Sequence, residues 1–250
     1  CREAGIGPFR HNIQAIQSLE RIEKQGRGLN LTLQVLDGIL CHNGETSERS
    51  VSPEPCASFD GFDEKMEKAR KGSTPFPMTM EGCLVRIVDT VSYIGRDIED
   101  AISLKIITRD RLPKKATALL GDTNGKIVYA LVEDLIAHSR KDRIAYSAKI
   151  YGALEALKRF NYENIYLNPR VKTESSKIRT MYNLVFKQLL EDVMVKRRDS
   201  MIYSRFLDRL DKGYRRKHQP GEVVRDFIAG LTDSTFLKVF SELFVPDFFE

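Results

Sequence analysis

Asp89, Tyr93 and Asp97 stand at i, i+4 and i+8, so on a helix of about 3.6 residues per turn they form one polar line along a single face. Two carboxylates and a phenol arranged in this way can ligate a cation, accept hydrogen bonds from a sugar, or close a network among themselves. Val85, Val88, Val91, Ser92, Gly95, Ile98, Ala101 and Ile102 surround the line with small or apolar groups, which predicts a largely buried helix. A carboxylate in such a place needs a partner, because leaving it unpaired costs on the order of several kcal/mol. From the residues alone two readings of Asp89 stay open: an ion pair with Arg86 or another base, or a ligand to a cation.

The elements that must position this line read as helices. Apolar positions at Ile13, Ile16, Leu19 and Ile22 predict a helix over 8–25, ended near Gly26 and Gly28. A second runs through Leu33, Leu36, Ile39 and Leu40, capped by Asn30 or Thr32 and stopped at His42-Asn43-Gly44. Residues 45–60, rich in Ser, Pro and Glu, read as a long exposed loop. A short charged helix over 62–70 precedes the long helix over 80–104 that carries the polar line. Further helical periods fall at 111–119, 124–141, 147–160, 172–195, 199–213, 220–231 and 233–243. The segments 144–150 and 164–167 are too short to found a sheet, so the expected class is all-α with several packed helices and no internal repeat. Two regions are expected: 1–105, holding the polar line, and 106–250, a helical associated region.

Composition narrows the class further. The chain has 250 residues, 30% charged and 42% hydrophobic, with no apolar run approaching the roughly 18 residues of a membrane span. The cysteines at 1, 41, 56 and 83 lack Cys-x-x-Cys spacing and follow no signal peptide, which points to reduced thiols in a cytoplasmic protein and away from a zinc ribbon. The net charge of +5 is unevenly placed, with Lys196, Arg197, Arg198, Arg205, Arg209 and Lys212 to Lys217 crowding one segment. That segment reads either as a solvated helical face, since Asp199, Asp208 and Asp211 are interspersed, or as a surface for polyphosphate or nucleic acid.

Five blocks in order carry a resemblance: Phe9-Arg10-His11-Asn12-Ile13-Gln14-Ala15, Gly28-Leu29-Asn30-Leu31-Thr32, Asp37-Gly38-Ile39-Leu40, the Asp89–Asp100 helix, and Asp226-Phe227-Ile228-Ala229-Gly230-Leu231-Thr232-Asp233. Over residues 7–245 the chain resembles the deoxyguanosine triphosphate triphosphohydrolases, the HD-domain dNTPases. The resemblance implies an all-α, HD-domain-like phosphohydrolase that uses a divalent metal such as Mg or Mn. It would hydrolyse a dNTP, dGTP by default, to the deoxynucleoside and tripolyphosphate. In that family a His, a His-Asp pair and a later Asp hold the metal. Asp89 matches the later Asp, Tyr93 the ring packed on the deoxyribose, where a 2′-hydroxyl would clash, and Asp97 the acceptor of the 3′-hydroxyl. His11 matches a histidine near the phosphates, and Asn12 is a candidate substrate contact beside it.

The departure is equally specific. The histidines are His11, His42, His138 and His218, and none precedes an Asp. In the family the missing ligands lie upstream of the Phe-Arg-His-Asn block, near which this chain starts, so the expectation is a fragment lacking the N-terminal part and inactive by itself. The competing expectation is a catalytically inactive module of the same fold that binds nucleotide or single-stranded DNA. Family likeness also implies a homo-oligomer and possible nucleotide or single-stranded-DNA effectors. Glu99 and Asp100 lead away from the polar line and read as salt-bridging or solvated. His42, His138 and His218 read as surface or packing residues, and Asp226 to Asp233 as a structural helix and turn.

Overall fold

The computed structural model describes residues 5–43, 48–56 and 58–246. The chain is all-α: the described residues hold long helices and a single two-residue strand pair. It divides into two compact units, one formed by the residues up to Leu31 together with those from Ser175 onward, the other by Thr32–Glu174. The division expected at 105/106 falls inside the second of these.

In chain order the first unit begins with α1 (His11–Gln17). The helix expected over 8–25 is shorter than its apolar period suggests. It widens into a π-turn over Ser18–Ile22, and the chain then reverses through Lys24 and Gln25, both at positive φ. Gly28 explains the reversal. It sits at φ +77°, and a Cβ there would lie 2.3 Å from the carbonyl oxygen of Glu20, so only glycine permits this return of the chain.

The central unit contains α2 (Leu33–Cys41), α3 (Phe59–Arg70), α4 (Met80–Ser103), α5 (Lys114–Leu120), α6 (Asn124–His138) and α7 (Ala148–Asn161). Thr32, at the N-cap of α2, makes no side-chain cap bond. α4 starts where the Thr79 hydroxyl accepts from Gly82 N at 3.0 Å, and it ends before Lys105, which takes a positive φ. Its apolar stripe of Cys83, Ile87, Val91, Ile94, Ile98 and Ala101 packs into one core with Ala116 and Leu120 of α5, Ile127, Leu131 and Leu135 of α6, and Leu154, Leu157 and Phe160 of α7. Each fully buried aliphatic side chain of this kind contributes roughly 1.5–3 kcal/mol. The strands β1 (Ser50–Val51) and β2 (Ile144–Ala145) pair antiparallel, Ser50 opposite Ala145 and Val51 opposite Ile144. Val51 is buried, so the stretch expected to be an exposed loop in fact pins itself to this core; residues 45–47 and 57 of it lie outside the described residues.

α8 (Pro169–Met194) contains the boundary between the units. Its later residues Val185 and Leu189 join a second core with Ile202, Tyr203, Leu207 and Tyr214, and with Val224 and Phe227 of α11 (Pro220–Ala229) and Phe236 and Val239 of α12 (Asp233–Phe244). The single helix expected over 199–213 is two. α9 (Met201–Arg205) stops at Phe206, a 3-10 turn follows over Leu207–Arg209, and α10 (Lys212–Lys217) begins anew. The break is fixed by one local and one long-range bond: Asp211 caps α10 through Gly213 N at 2.6 Å, while its own N–H is held by Gln25 O at 2.8 Å. Part of the basic run is paired with acidic neighbours. Arg197 pairs with Asp192, Arg205 with Glu242, and Arg198 and Arg215 with Asp208.

Candidate functional site

α4 brings Asp89, Tyr93 and Asp97 into the expected line, spaced about 6 Å apart along the axis for each pair. All three are half-buried rather than enclosed. The expectation of a largely buried helix fails on this side because Leu84, Val85 and Ser92 are exposed, while the buried stripe lies at Ile87, Val91, Ile94 and Ile98. A half-exposed carboxylate retains part of its hydration, so its need for a protein partner is smaller.

The partners of the acidic residues differ in a way that sorts their roles. The carboxylate of Asp89 makes no hydrogen bond or ion pair among the described residues. Arg86, one turn earlier, is turned elsewhere. It is 1% exposed, donates through Nη1 to the carbonyls of Cys41 at 2.9 Å and Pro75 at 3.2 Å, lies 3.4 Å from Glu48, and sits over the Phe76 ring. The ion-pair reading of Asp89 with Arg86 is therefore excluded. Tyr93 places its hydroxyl 3.5 Å from Thr90 Oγ1. Asp97 accepts one hydrogen bond, on Oδ2 from the Tyr166 hydroxyl, and its other oxygen has no partner among the described residues.

Glu99 is saturated by contrast. Arg109 donates to both its oxygens, at 2.6 and 3.2 Å, and Asn124 N adds a third bond at 3.2 Å. The Arg109 hydrogen bonds hold the Glu99 carboxyl below the usual carboxylate range. Asp100 pairs with Arg96 at 3.3 Å on the exposed face. Gly95 lets α6 approach here, since a Cβ on it would come within 2.9 Å of Asn124 Cα.

His11 and Asn12 belong to the other unit. His11 is the exposed first residue of α1, and Asn12 behind it is buried. In that unit Asp226 is the centre of a network that sequence reasoning saw only as a structural turn. It is 1% exposed and accepts from Gln14 and Gln17 at 2.9 Å, from the Tyr214 hydroxyl at 2.7 Å and from Arg225 at 2.8 Å. His218 joins through Gln17 at 2.8 Å and stacks on Tyr214, a packing role as expected. Burial, reinforced by Asp226, pushes the Tyr214 phenol far above its ordinary range.

The Asp37 block is likewise structural. Asp37 is fully buried, with Lys65 Nζ on Oδ1 at 2.8 Å and Met78 N on Oδ2 at 2.6 Å. Burial pushes the neighbouring Cys41 thiol up to about 12, with Asp37 adding to the shift. Cys41, Cys56 and Cys83 are free thiols. His42 is bonded to Ile39 O and His138 lies against Asp134.

Sequence reasoning missed Tyr166, which comes from a π-turn over Tyr162–Tyr166 after α7. The only signal was an aromatic and polar alternation at 160–166, too short to assign. Among the described residues no three His, Cys, Asp or Glu converge on a common point, and no helix is long and apolar enough to cross a membrane.

Residues 144–242 match the family model of the phosphohydrolase-associated domain. Proteins described as deoxyguanosinetriphosphate triphosphohydrolase-like align over nearly all of the chain. That of Caldanaerobacter subterraneus subsp. tengcongensis is 33% identical over 241 residues, covering 96% of this chain and 59% of its own length. That of Clostridium tetani is 29% identical over 244 residues, covering 95% and 60%, and that of Clostridium perfringens strain 13 is 28% identical over 251 residues, covering 97% and 62%. The chain thus spans about three fifths of the length of the curated relatives it matches. The order of the five sequence blocks, the all-α architecture and these alignments agree: the chain is similar to proteins described as deoxyguanosinetriphosphate triphosphohydrolase-like, and its residues 144–242 match the phosphohydrolase-associated domain.

Proposed function

We propose that the full-length protein hydrolyses a deoxynucleoside triphosphate, dGTP by default, to the deoxynucleoside and tripolyphosphate. The observation that supports this reading is the gradient of satisfaction along α4. Among the described residues Asp89 has no partner at one end, Asp97 has one oxygen without a partner at the other, and Tyr93 stands between them. A cation ligand, a ring and a hydroxyl acceptor in that order suit a phosphate followed by a deoxyribose.

Asp89 fits a divalent metal as one anionic ligand, being half-exposed and without an ion pair among the described residues. Among the described residues no three His, Cys, Asp or Glu converge on one point, and Asp89 is the ligand that this chain is proposed to give. A bound divalent ion supplies Lewis-acid polarisation of the phosphate and acidifies a water ligand. The chain's own residues bind and orient. Tyr93 lies against the sugar at C2′ and leaves no room for a 2′-hydroxyl, and Asp97 accepts the 3′-hydroxyl. In the net reaction the water oxygen bonds to the α-phosphorus, the bond from that phosphorus to its bridging oxygen on the sugar side breaks, and the 5′-oxygen leaves with a proton.

The test is ³¹P NMR of the full-length protein with dGTP and Mg²⁺ or Mn²⁺. Tripolyphosphate as the first product is the expected result, and Asp89→Ala removes it. Orthophosphate or pyrophosphate as the first product overturns the reading. Tyr93→Ala should relax the preference for dGTP over GTP, measured as the ratio of kcat/KM values; an unchanged ratio removes Tyr93 from the sugar.

A further inference from the structure

α6 is apolar on two sides. Ile127, Leu131 and Leu135 fill the core, while the other side carries Tyr129, Val132 and Ile136, which are 69%, 39% and 77% exposed. At about 100° per residue these three and Gly125 fall within about 60° of one another, so they form one stripe along the helix. Scattered apolar side chains on a surface are ordinary. A helix that is apolar on both sides is normally covered on both, and among the described residues only one side of α6 is.

The stripe is complementary to itself. At one end Gly125 offers no side chain, and a Cβ there would meet nothing within 4 Å; at the other, Ile136 stands out into solvent. An antiparallel copy of α6 that sets Gly125 opposite Ile136 also sets Tyr129 opposite Val132, with the twofold axis passing between Ala130 and Leu131. The charges agree with that register. Lys126 and Glu133 lie on the same flank of the stripe, and the axis brings Lys126 of each copy within about 3 Å along the helix of Glu133 of the other. Asp122, just before the Thr123 cap, comes beside Arg140, just past the end of the helix. Glu133 makes no ion pair among the described residues, and Lys126 holds Asp122 at 3.0 Å on the open surface, where it can be shared. A parallel pair would instead set bulk against bulk at Ile136 and leave a gap at Gly125.

We propose that the exposed stripe of α6 is the seat of a second copy of this chain, packed antiparallel about a twofold axis between Ala130 and Leu131. Tyr129, Val132 and Ile136 supply the apolar contact, and Lys126 and Glu133 fix its direction, as flanking charges do in coiled coils. One pair of 15-residue helices is small for a specific interface, so the association is of micromolar order.

The test is sedimentation equilibrium of the full-length protein. Lys126→Glu and Glu133→Lys each place like charges across the axis twice, and each should raise the dissociation constant of the dimer about tenfold or more. An equimolar mixture of the two variants regains both opposite-charge pairs in a heterodimer and should recover the wild-type constant, which only folded variants can do. Gly125→Phe has open space in the single chain, so it should leave the thermal melt of the dilute protein at or above that of the wild type while it abolishes pairing by filling the notch for Ile136. Single reversals that assemble as the wild type does, or a mixture no better than its components, overturn the proposal. So does a wild type that stays monomeric at high concentration, which is the result expected if the rest of the full-length chain covers the stripe.

Discussion

Asp226 and Asp89 are both acidic residues on amphipathic helices, and they occupy opposite extremes. Asp226 is buried and takes bonds from Gln14, Gln17, Tyr214 and Arg225, whereas Asp89 is half-exposed and takes none from the described residues. The first arrangement is a completed structure, in which every lone pair that burial stripped of water has been given a protein donor. The second leaves capacity unused. The difference teaches that the degree of satisfaction, more than the presence of a carboxylate, separates the parts of this chain that hold it together from those that can hold something else.

That distinction breaks most directly at Asp226. Asp226→Ala leaves four donors, one of them the Arg225 guanidinium, around a buried gap, and should cost about 3–5 kcal/mol. Urea denaturation measures it. A loss below about 1 kcal/mol would mean that water replaces the carboxylate and that the network is not a structural centre. Asp226→Asn, which keeps the shape and part of the accepting capacity, should fall between the variant and the wild type.

Gly95 sharpens the comparison at intermediate size. It lies on the same helix as the unsatisfied line, but on the side where α6 docks, and a Cβ there meets Asn124 Cα at 2.9 Å. Backbone cannot yield as a side-chain tip does, so Gly95→Ala should lose about 1–3 kcal/mol through overpacking, despite alanine's better helix propensity. A neutral or stabilising result in a thermal melt would show that α6 shifts freely.

What the sequence could and could not disclose follows the range of the interactions. α4 was legible because its period and the i, i+4, i+8 spacing are local, and so was its place in an all-α class. The exposure of Leu84 and Val85 was not, since apolar type alone does not say which of several faces a core will choose. The break at Phe206 was hidden because it depends on Gln25, far back in the sequence, holding Asp211 N. The Asp226 network joins Gln14 to a residue more than two hundred positions away, and the Tyr166 bond to Asp97 spans a 69-residue separation. Of the site, the residue types on one helix face could be read; their states of satisfaction needed the fold.

At Asp89 the comparison predicts a small effect. Asp89→Asn removes a charge that nothing among the described residues neutralises, so folding stability should change by less than about 0.5 kcal/mol. Retained stability together with loss of tripolyphosphate release by the full-length protein is the expected pair of results. A stability loss above about 1 kcal/mol would place Asp89 with Asp226 among the structural carboxylates and dissolve the contrast.

Glu99 supplies the smallest effect and the finest test, because it shares α4 with Asp89 and Asp97 yet is saturated by Arg109 and Asn124 N. Its folded-state pKa is lowered, chiefly by the Arg109 hydrogen bonds and against the opposing effect of burial. A lowered carboxyl contributes stability that is present above the unfolded-state pKa, about 4.3, and is lost as pH falls through the folded value. The pair is partly exposed, with side chains 36% and 31% accessible, so solvent screens it and the gain stays modest. Glu99→Gln should therefore be slightly less stable than the wild type at neutral pH, and the two melting curves should converge as the pH is taken below about 4. A gap that stayed constant across that range would mean that Glu99 acts through shape and neutral hydrogen bonding, and that charge satisfaction is not what separates it from its neighbours on the helix.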